Sequence, residues 1–483
     1  MVDPCGNSGT QAIQYDTVPP SEEPRATAPA EGHLSGTDAT QPLRTSRLAP
    51  WVDLILIASG VGLLASFVPQ SPVTYDAYIR YHALVNLLSA GQSPNMKYSF
   101  VGPLFATPLY WLGRILGAPA SQWVVMHYNL LLFCVLLLGL WALLRNRVDR
   151  GLVRTFLLIM VAASMFGFAT QDFLGEMFTA VLVGLGAIAV VTGPRLAGWA
   201  GLAVGTANTP AAVLGVGLVV LKRVVERRRL RYVLALAATA GLTYLDARYR
   251  QQHLLTGKYL TVDSGFKTIL PYSGRPGFSY PFPFGLLSIL FSFGKGLVFF
   301  APGLLIPARR FLRQRAPAVA SGYELWIWYL AGMVLTYSAW WAWYGGFTWG
   351  PRFFLVACLP ASLALAAFLR FPPRHVWALV GVAGVLVLSC WVGANGVVWG
   401  NYGQDACMAS GFTNEHLCWY VPEFSVLWRP FVVPKTSFTG LELTYLGYSA
   451  ITVVWLGRSL VQPLWAAARA EFWRVVNSPP AAD

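Results

Sequence analysis

The chain has 483 residues, of which 55% are hydrophobic and only 12% are charged, and its formal net charge is +14. Its mean hydropathy is +0.52. Several apolar runs are long enough to cross a bilayer, which takes roughly 20 residues per helix. These values exclude an ordinary soluble protein and predict an all-α polytopic membrane protein.

The first 50 residues differ from the rest of the chain. They are rich in Ala, Thr, Ser, Pro and acidic residues and lack apolar periodicity, so residues 1–50 are predicted to be a disordered cytoplasmic tail. No short cationic start leads into an apolar core, so a signal peptide is not expected. Trp51–Val68 is therefore predicted to be a retained first transmembrane helix.

Basic residues are concentrated in short connections between apolar runs, which is typical of cytoplasmic loops and not of a nucleic-acid-binding surface. The clusters are Arg145–Arg154, Lys222–Arg231, Arg309–Arg315, Arg370–Arg374 and Arg458–Arg474. Placing them all inside predicts a transmembrane domain over residues 51–460, a cytoplasmic C-terminal tail over 461–483, and no nucleic-acid partner.

Residues 69–122 are then expected to form a long first extracytoplasmic loop. Within it, Asp76–Ala90 is predicted to be an amphipathic surface helix, because its apolar side chains recur at helical spacing. They form one stripe: Ala77, Tyr81, Leu84 and Leu88. Tyr98–Leu116, interrupted by two prolines, is predicted to be a second surface or re-entrant helix.

Downstream runs continue the alternation and give about 10–12 transmembrane helices in total. The short acidic turn QDFLGE (171–176) precedes an inward run, GTANTP (205–210) separates two short helices, and SFGKG (292–296) interrupts another run. The last outer loop, 398–440, contains Cys407 and Cys418. A disulfide is expected there because the outside is oxidising, with two free thiols as the alternative.

Acidic residues at the outer membrane surface are candidates for chemistry. Asp76 lies at the head of the first surface helix and suits a general base, although Asp is also a favoured N-cap with a charge that suits the helix dipole. Asp172 and Glu176 lie one helical turn apart at the start of an inward helix and form a second acidic site. Capping of that helix is the alternative for this pair.

Outward basic residues are fewer, and three are candidates to bind a donor phosphate: Lys295, Arg352 and Arg275. A guanidinium binds phosphate through paired hydrogen bonds, and an ammonium between glycines combines with flexible backbone N–H groups. Snorkelling to lipid headgroups is the alternative for all three. Arg80 and Lys97 are less specific candidates.

Six aromatic residues fall within the ten positions 340–349, interleaved with glycines. Aromatic belts anchor membrane proteins at the interface, but flat rings also stack on sugars. The candidates for sugar stacking are Trp341, Trp343, Tyr344 and Trp349.

This ordered set resembles the GT-C superfamily of integral-membrane glycosyltransferases that use polyprenyl-phosphate sugars. The resemblance is carried by Asp76 in a long first loop, by QDFLGE, and by FSFGKGLVFFAPGLL and WYGGFTWGPRFFL, which are similar to segments of bacterial proteins related to protein mannosyltransferases. It implies a GT-C-like helical bundle at the plasma membrane with its active site on the extracytoplasmic side.

The resemblance also implies an inverting reaction in which Asp76 takes the proton of an acceptor hydroxyl as the polyprenyl phosphate departs. The donor sugar is expected to be mannose or arabinofuranose, and the acceptor a glycan, glycolipid or protein of the cell envelope. No obligatory cofactor is expected; Asp172 and Glu176 match a position that binds a divalent metal in some relatives.

Two departures from the family pattern bear on this interpretation. Relatives often have a basic residue where this chain has Asn208-Thr209-Pro210, and often a pair of acids where Asp76 stands alone. A transporter or flippase for lipid-linked sugars is an alternative function, although no internal repeat is evident. A non-catalytic scaffold for envelope synthesis is another.

Overall fold

Helices are the regular secondary structure of the part of the chain that is described. The computed structural model describes residues 48–68, 75–250 and 277–476, and these ranges contain no strand. Five helical segments are long and apolar enough to cross a membrane: Ala49–Phe67, Ser121–Leu144, Pro317–Ser338, Arg352–Arg370 and Val376–Val398. The protein is therefore an all-α integral membrane protein, and further spans up to the total of about 10–12 stay a prediction.

The N-terminal third contains the predicted first helix and five further helices. In chain order these are α1 (Ala49–Phe67), α2 (Tyr75–Ala90), α3 (Val101–Leu104), α4 (Thr107–Leu116), α5 (Ala118–Met126) and α6 (Tyr128–Leu144). The apolar stripe of α2 faces the protein, because Ala77, Tyr81 and Leu84 are buried. The second predicted surface helix is divided into α3 and α4.

The middle third contains the acidic turn and two helical pairs. Its helices are α7 (Arg150–Ala162), α8 (Phe166–Ala169), α9 (Glu176–Thr192), α10 (Arg195–Ala207), α11 (Val213–Arg227) and α12 (Val233–Tyr249). Helix α9 packs against α6, α10 and α16 (Pro317–Ser338), so it occupies the centre of the bundle. The break between α10 and α11 lies at the predicted GTANTP segment.

The C-terminal part is more interrupted outside its long helices. It consists of α13 (Phe282–Phe291), α14 (Leu297–Phe300), α15 (Ala308–Arg315), α16, α17 (Cys358–Arg370), α18 (Val376–Val398), α19 (Asp405–Phe412), α20 (Glu415–Tyr420), α21 (Arg429–Val432) and α22 (Gly440–Val476). A 3-10 turn, Arg352–Ala357, precedes α17. Helix α22 continues through residues 461–476, which lie in the predicted C-terminal tail.

The basic clusters predicted to share one side of the membrane meet one another in the fold. Lys222 and Arg313 contact the two carboxylate oxygens of Glu324, at 2.6 and 2.5 Å. Arg370 pairs with Asp149 at 2.8 Å, which joins two further clusters. Arg315 lies over the Phe371 ring, 5.9 Å from its centroid, so the two pairs are adjacent and four of the five clusters lie together.

Candidate active site

Asp76 lies in the first turn of α2, and its carboxylate contacts two side chains that are distant in sequence. The Tyr98 hydroxyl donates to Oδ1, and Arg352 Nη2 donates to Oδ2 at 2.6 Å. The Asp76 side chain is only 15% exposed. These contacts differ from the local capping interaction that was the alternative, and they place Asp76 in a buried polar cluster.

The charge state of Asp76 is set by opposing effects. Burial raises the pKa of the carboxyl, but the charge of Arg352 and the hydrogen bonds from Tyr98 and Arg352 outweigh burial, so the pKa is lowered overall. Asp76 is therefore an anion at neutral pH. Each of its oxygens already accepts one hydrogen bond, and these bonds lower the basicity of the carboxylate as long as both partners stay in place.

Tyr98 is a member of this cluster that sequence reasoning missed. Its ring lies beneath the Arg80 guanidinium, 4.8 Å from the ring centroid. Burial and the neighbouring charge of Asp76 raise the pKa of the Tyr98 hydroxyl. Tyr98 therefore stays protonated and serves as a hydrogen-bond donor to Asp76.

Arg352 joins the first loop to the acidic turn. Besides contacting Asp76, its Nε lies 3.6 Å from Glu176 Oε1. Glu176 Oε2 and Arg352 Nε are buried without a hydrogen-bond partner among the described residues. An otherwise largely apolar cavity of about 20 Å³ opens beside these two side chains, which is room for about one water molecule.

The two acids of the predicted second acidic site have different surroundings. Glu176 begins α9, whereas Asp172 lies in the preceding turn, so the expectation that both lie at the start of one helix was wrong. Asp172 Oδ1 accepts from the Phe173 N–H at 2.8 Å. Asn129 braces the turn through its amide, which donates to the Asp172 and Leu174 carbonyls.

Asn208 lies in the GTANTP segment between α10 and α11, and it holds two segments of the site together. Its Oδ1 accepts from the Gly102 N–H at 2.9 Å, and its Nδ2 donates to the Gly175 carbonyl at 2.8 Å. The side chain is 4% exposed. It thus connects the first loop to the acidic turn that carries Glu176.

Lys295, a predicted phosphate ligand, is buried and bonded to protein. Its ammonium donates to the carbonyls of Gly346, Thr348 and Gly350 at 3.0, 2.5 and 2.9 Å. It also lies over the Trp419 ring, 4.8 Å from its centroid. The lysine is 1% exposed, so in this conformation it faces the backbone and not an open groove.

The predicted stacking aromatics are mostly packed inside the protein. Trp343, Tyr344 and Trp349 are 1–3% exposed, and Trp341 is half-buried. Tyr344 stacks on Trp419 at 4.9 Å, and Trp349 donates to Asn395 Oδ1 at 2.7 Å. Trp349 also lines the cavity beside Arg352, and the contact of these rings with a sugar stays a prediction.

Cys407 and Cys418 form a disulfide between α19 and α20. Arg275 lies outside the described residues. Among the described residues, no group of three or more His, Cys, Asp or Glu side chains is arranged to hold a metal ion. The arrangement that remains is a carboxylate held between a tyrosine and an arginine, with a second acid on the other side of that arginine.

Comparisons with known proteins show two solved structures with a similar fold. No family model matches the chain, and no curated protein matches it. The fold is similar to that of ArnT. The crystal structure of ArnT from Cupriavidus metallidurans bound to undecaprenyl phosphate is 16% identical over 90% of this chain and 82% of that chain, with a TM-score of 0.46. The apo structure is also 16% identical, over 86% and 78%, with a TM-score of 0.45.

Proposed function

We propose that this protein is a GT-C-type membrane glycosyltransferase that moves a sugar from a polyprenyl monophosphate to an acceptor hydroxyl. The observation that carries the proposal is the contact between Asp76 and Arg352, at 2.6 Å within a buried polar cluster. A carboxylate beside a guanidinium provides a base for the acceptor and a ligand for the donor phosphate in one place.

Arg352 is the proposed phosphate ligand. A guanidinium binds a phosphate group through two parallel hydrogen bonds, and it stabilises the charge that grows on the leaving oxygen. As Arg352 turns toward the phosphate, it gives up its hydrogen bond to Asp76 Oδ2. Donor binding thereby frees the oxygen that the acceptor needs.

Asp76 then acts as the general base. The acceptor oxygen attacks the anomeric carbon, the bond from that carbon to the phosphate oxygen breaks, and the acceptor proton passes to Asp76. The anomeric configuration is inverted, and polyprenyl phosphate leaves with the electron pair of the broken bond. Tyr98 keeps the carboxylate oriented, and Glu176 holds Arg352 from its other side.

Mannose and arabinofuranose are the proposed sugars, and a glycan, glycolipid or protein of the cell envelope is the proposed acceptor. We place the site on the extracytoplasmic side of the plasma membrane, with both termini inside. This orientation is supported by the common side of four basic clusters and by a disulfide in the last outer segment, which fits an oxidising compartment.

The test is sugar transfer by the purified protein in lipid nanodiscs, with a panel of labelled polyprenyl-phosphate sugars and membrane-extract acceptors. Asp76→Asn is compared with Asp405→Asn, a matched control because Asp405 is exposed at the start of α19. We expect one donor to be used by the wild type and by Asp405→Asn, but not by Asp76→Asn. Absence of transfer from every donor by folded wild-type protein would favour a flippase or a scaffold.

A further inference from the structure

We propose that Lys295 is a positioning residue, which holds the glycine loop 345–350 so that Arg352 reaches both Asp76 and Glu176. This inference rests on the proposed function of Asp76 and Arg352. It assigns Lys295 to the backbone beneath the site and not to the donor phosphate.

The ammonium group of Lys295 is fully occupied. It has three N–H donors, and the three carbonyls of Gly346, Thr348 and Gly350 accept them. The side chain is almost completely buried. Contact with a phosphate would leave these carbonyls buried without donors, which is costly for each group.

Lys295 holds the backbone of a glycine-rich loop whose side chains are anchored separately, as by the Trp349 bond to Asn395. Gly345, Gly346 and Gly350 have φ values of +75°, +80° and +64°, which other residues rarely adopt. Glycine has the most backbone freedom to lose, so an anchor that binds alternate carbonyls narrows the conformations of the loop.

The same loop surrounds the Arg352 side chain. A Cβ built on Gly345 would lie 3.2 Å from Arg352 Cγ, so backbone and side chain are in close contact. Gly350, the last carbonyl bonded by Lys295, is two residues before Arg352. The position of the guanidinium therefore depends on the loop, and the loop depends on Lys295.

Lys295 is itself fixed by the last outer segment. The Gly294 N–H donates to the Trp419 carbonyl at 3.1 Å, and the Ser425 hydroxyl donates to the Phe293 carbonyl at 2.7 Å. Trp419 follows the disulfide-bonded Cys418. A rigid support thus continues from the disulfide segment through Lys295 to the arginine.

The experiment compares Lys295→Met, Lys295→Gln and the control Lys435→Met in nanodiscs. Lys435 is a suitable control because its ammonium contacts Glu442 and the Val398 carbonyl, in the last outer segment and not in the glycine loop. The readouts are transfer rate, binding of undecaprenyl phosphate, and hydrogen exchange of the amides of residues 345–352.

We expect Lys295→Met to increase exchange in residues 345–352 and to lower transfer by about 10-fold or more, within the range in which loss of positioning lowers rates. Lys295→Gln, which keeps N–H donors without charge, should retain more transfer than Lys295→Met. Lys435→Met should resemble the wild type in all three readouts.

A double variant separates positioning from direct phosphate contact. If Lys295 acts through Arg352, adding Lys295→Met to Arg352→Gln should cause no further loss of undecaprenyl phosphate binding. Additive losses, or equal activity of the Met and Gln variants, would overturn the inference in favour of a direct charge effect. Unchanged exchange in residues 345–352 would also overturn it.

Failure of the proposed function gives a different pattern of results. If the wild type transfers no sugar, the proposed function fails, but altered exchange in Lys295→Met would still support the positioning role. If the wild type is active and Lys295→Met is equally active, the positioning role alone fails.

Discussion

Arg352 Nη2 lies 2.6 Å from Asp76 Oδ2, although the two residues are separated by 276 positions in the chain. The pair joins α2 to the 3-10 turn that precedes α17. It places a cation and a base within one hydrogen bond of each other. In the proposed mechanism this contact couples donor binding to release of the base, because Arg352 leaves Asp76 when it binds the phosphate.

Replacing Tyr98 by Phe is expected to shift the acidic limb of the activity profile to higher pH. The Tyr98 hydrogen bond lowers the pKa of Asp76 by favouring the carboxylate, so its removal raises that pKa. The base must be deprotonated to act, so activity should begin at a higher pH than in the wild type. The measurement is kcat/KM for transfer against pH, and a limb that moves to lower pH would argue against Asp76 as the titrating base.

Replacing Arg352 by Gln should weaken donor binding. A charge-assisted hydrogen bond to phosphate contributes about 1.5–3 kcal/mol, so the Kd for undecaprenyl phosphate should rise by about 10- to 100-fold. Arg370→Gln is a control, since this arginine pairs with Asp149 at a different end of the bundle. Equal binding by wild type and Arg352→Gln would remove Arg352 from the phosphate site.

Loss of the disulfide should destabilise the fold measurably. Cys407 and Cys418 are 11 residues apart, and the entropy of closing a loop of this length corresponds to about 3 kcal/mol. Cys407→Ser, Cys418→Ser and the double variant should all unfold at similarly lowered temperatures in nanodiscs. The unpaired Cys134 supplies the control Cys134→Ser, and a double variant as stable as this control would contradict the prediction.

Gly294→Ala should also be destabilising, for steric reasons. A Cβ at this position would lie 1.9 Å from the Cys418 carbonyl oxygen. This oxygen belongs to the backbone, so it can move away only if the segment that contains Cys418 shifts. Overpacking of this kind costs about 1–3 kcal/mol. Gly217→Ala, in α11 with no atom within 4 Å of the new Cβ, should unfold at or above the wild-type temperature. A Gly294→Ala variant with wild-type thermal stability would show that the two segments are not in tight contact.

The sequence predicted those features that depend on composition and local periodicity. Membrane helices, the apolar stripe of α2 and the grouping of basic loops all follow from residue type and spacing over one or two helical turns. The presence of two cysteines in one polar loop also predicted the disulfide between Cys407 and Cys418. These signals are repeated along the chain, so the fold class did not depend on any single residue.

The contacts within the site depend on tertiary structure and were predictable only in part. Asp76 and Arg352 were identified as candidates by residue type and position, but their mutual contact was not. Tyr98 was missed because a tyrosine in a loop has no distinctive local pattern. Asn208 was noted only as standing in place of a basic residue, and its hydrogen bonds to Gly102 and Gly175 were not predicted. Lys295 was noticed for its glycine neighbours, yet its carbonyl partners come from a segment more than 50 residues away.

The most direct test of the central claim measures donor binding and transfer on the same sample of Asp76→Asn. Under the proposed mechanism, Asp76→Asn should bind undecaprenyl phosphate at least as tightly as the wild type, because Arg352 no longer pairs with a carboxylate. The mechanism also predicts a single-turnover transfer rate lower by about 10²–10⁴-fold, the usual contribution of a general base. Wild-type transfer by a folded Asp76→Asn protein would contradict the assignment of Asp76 as the base.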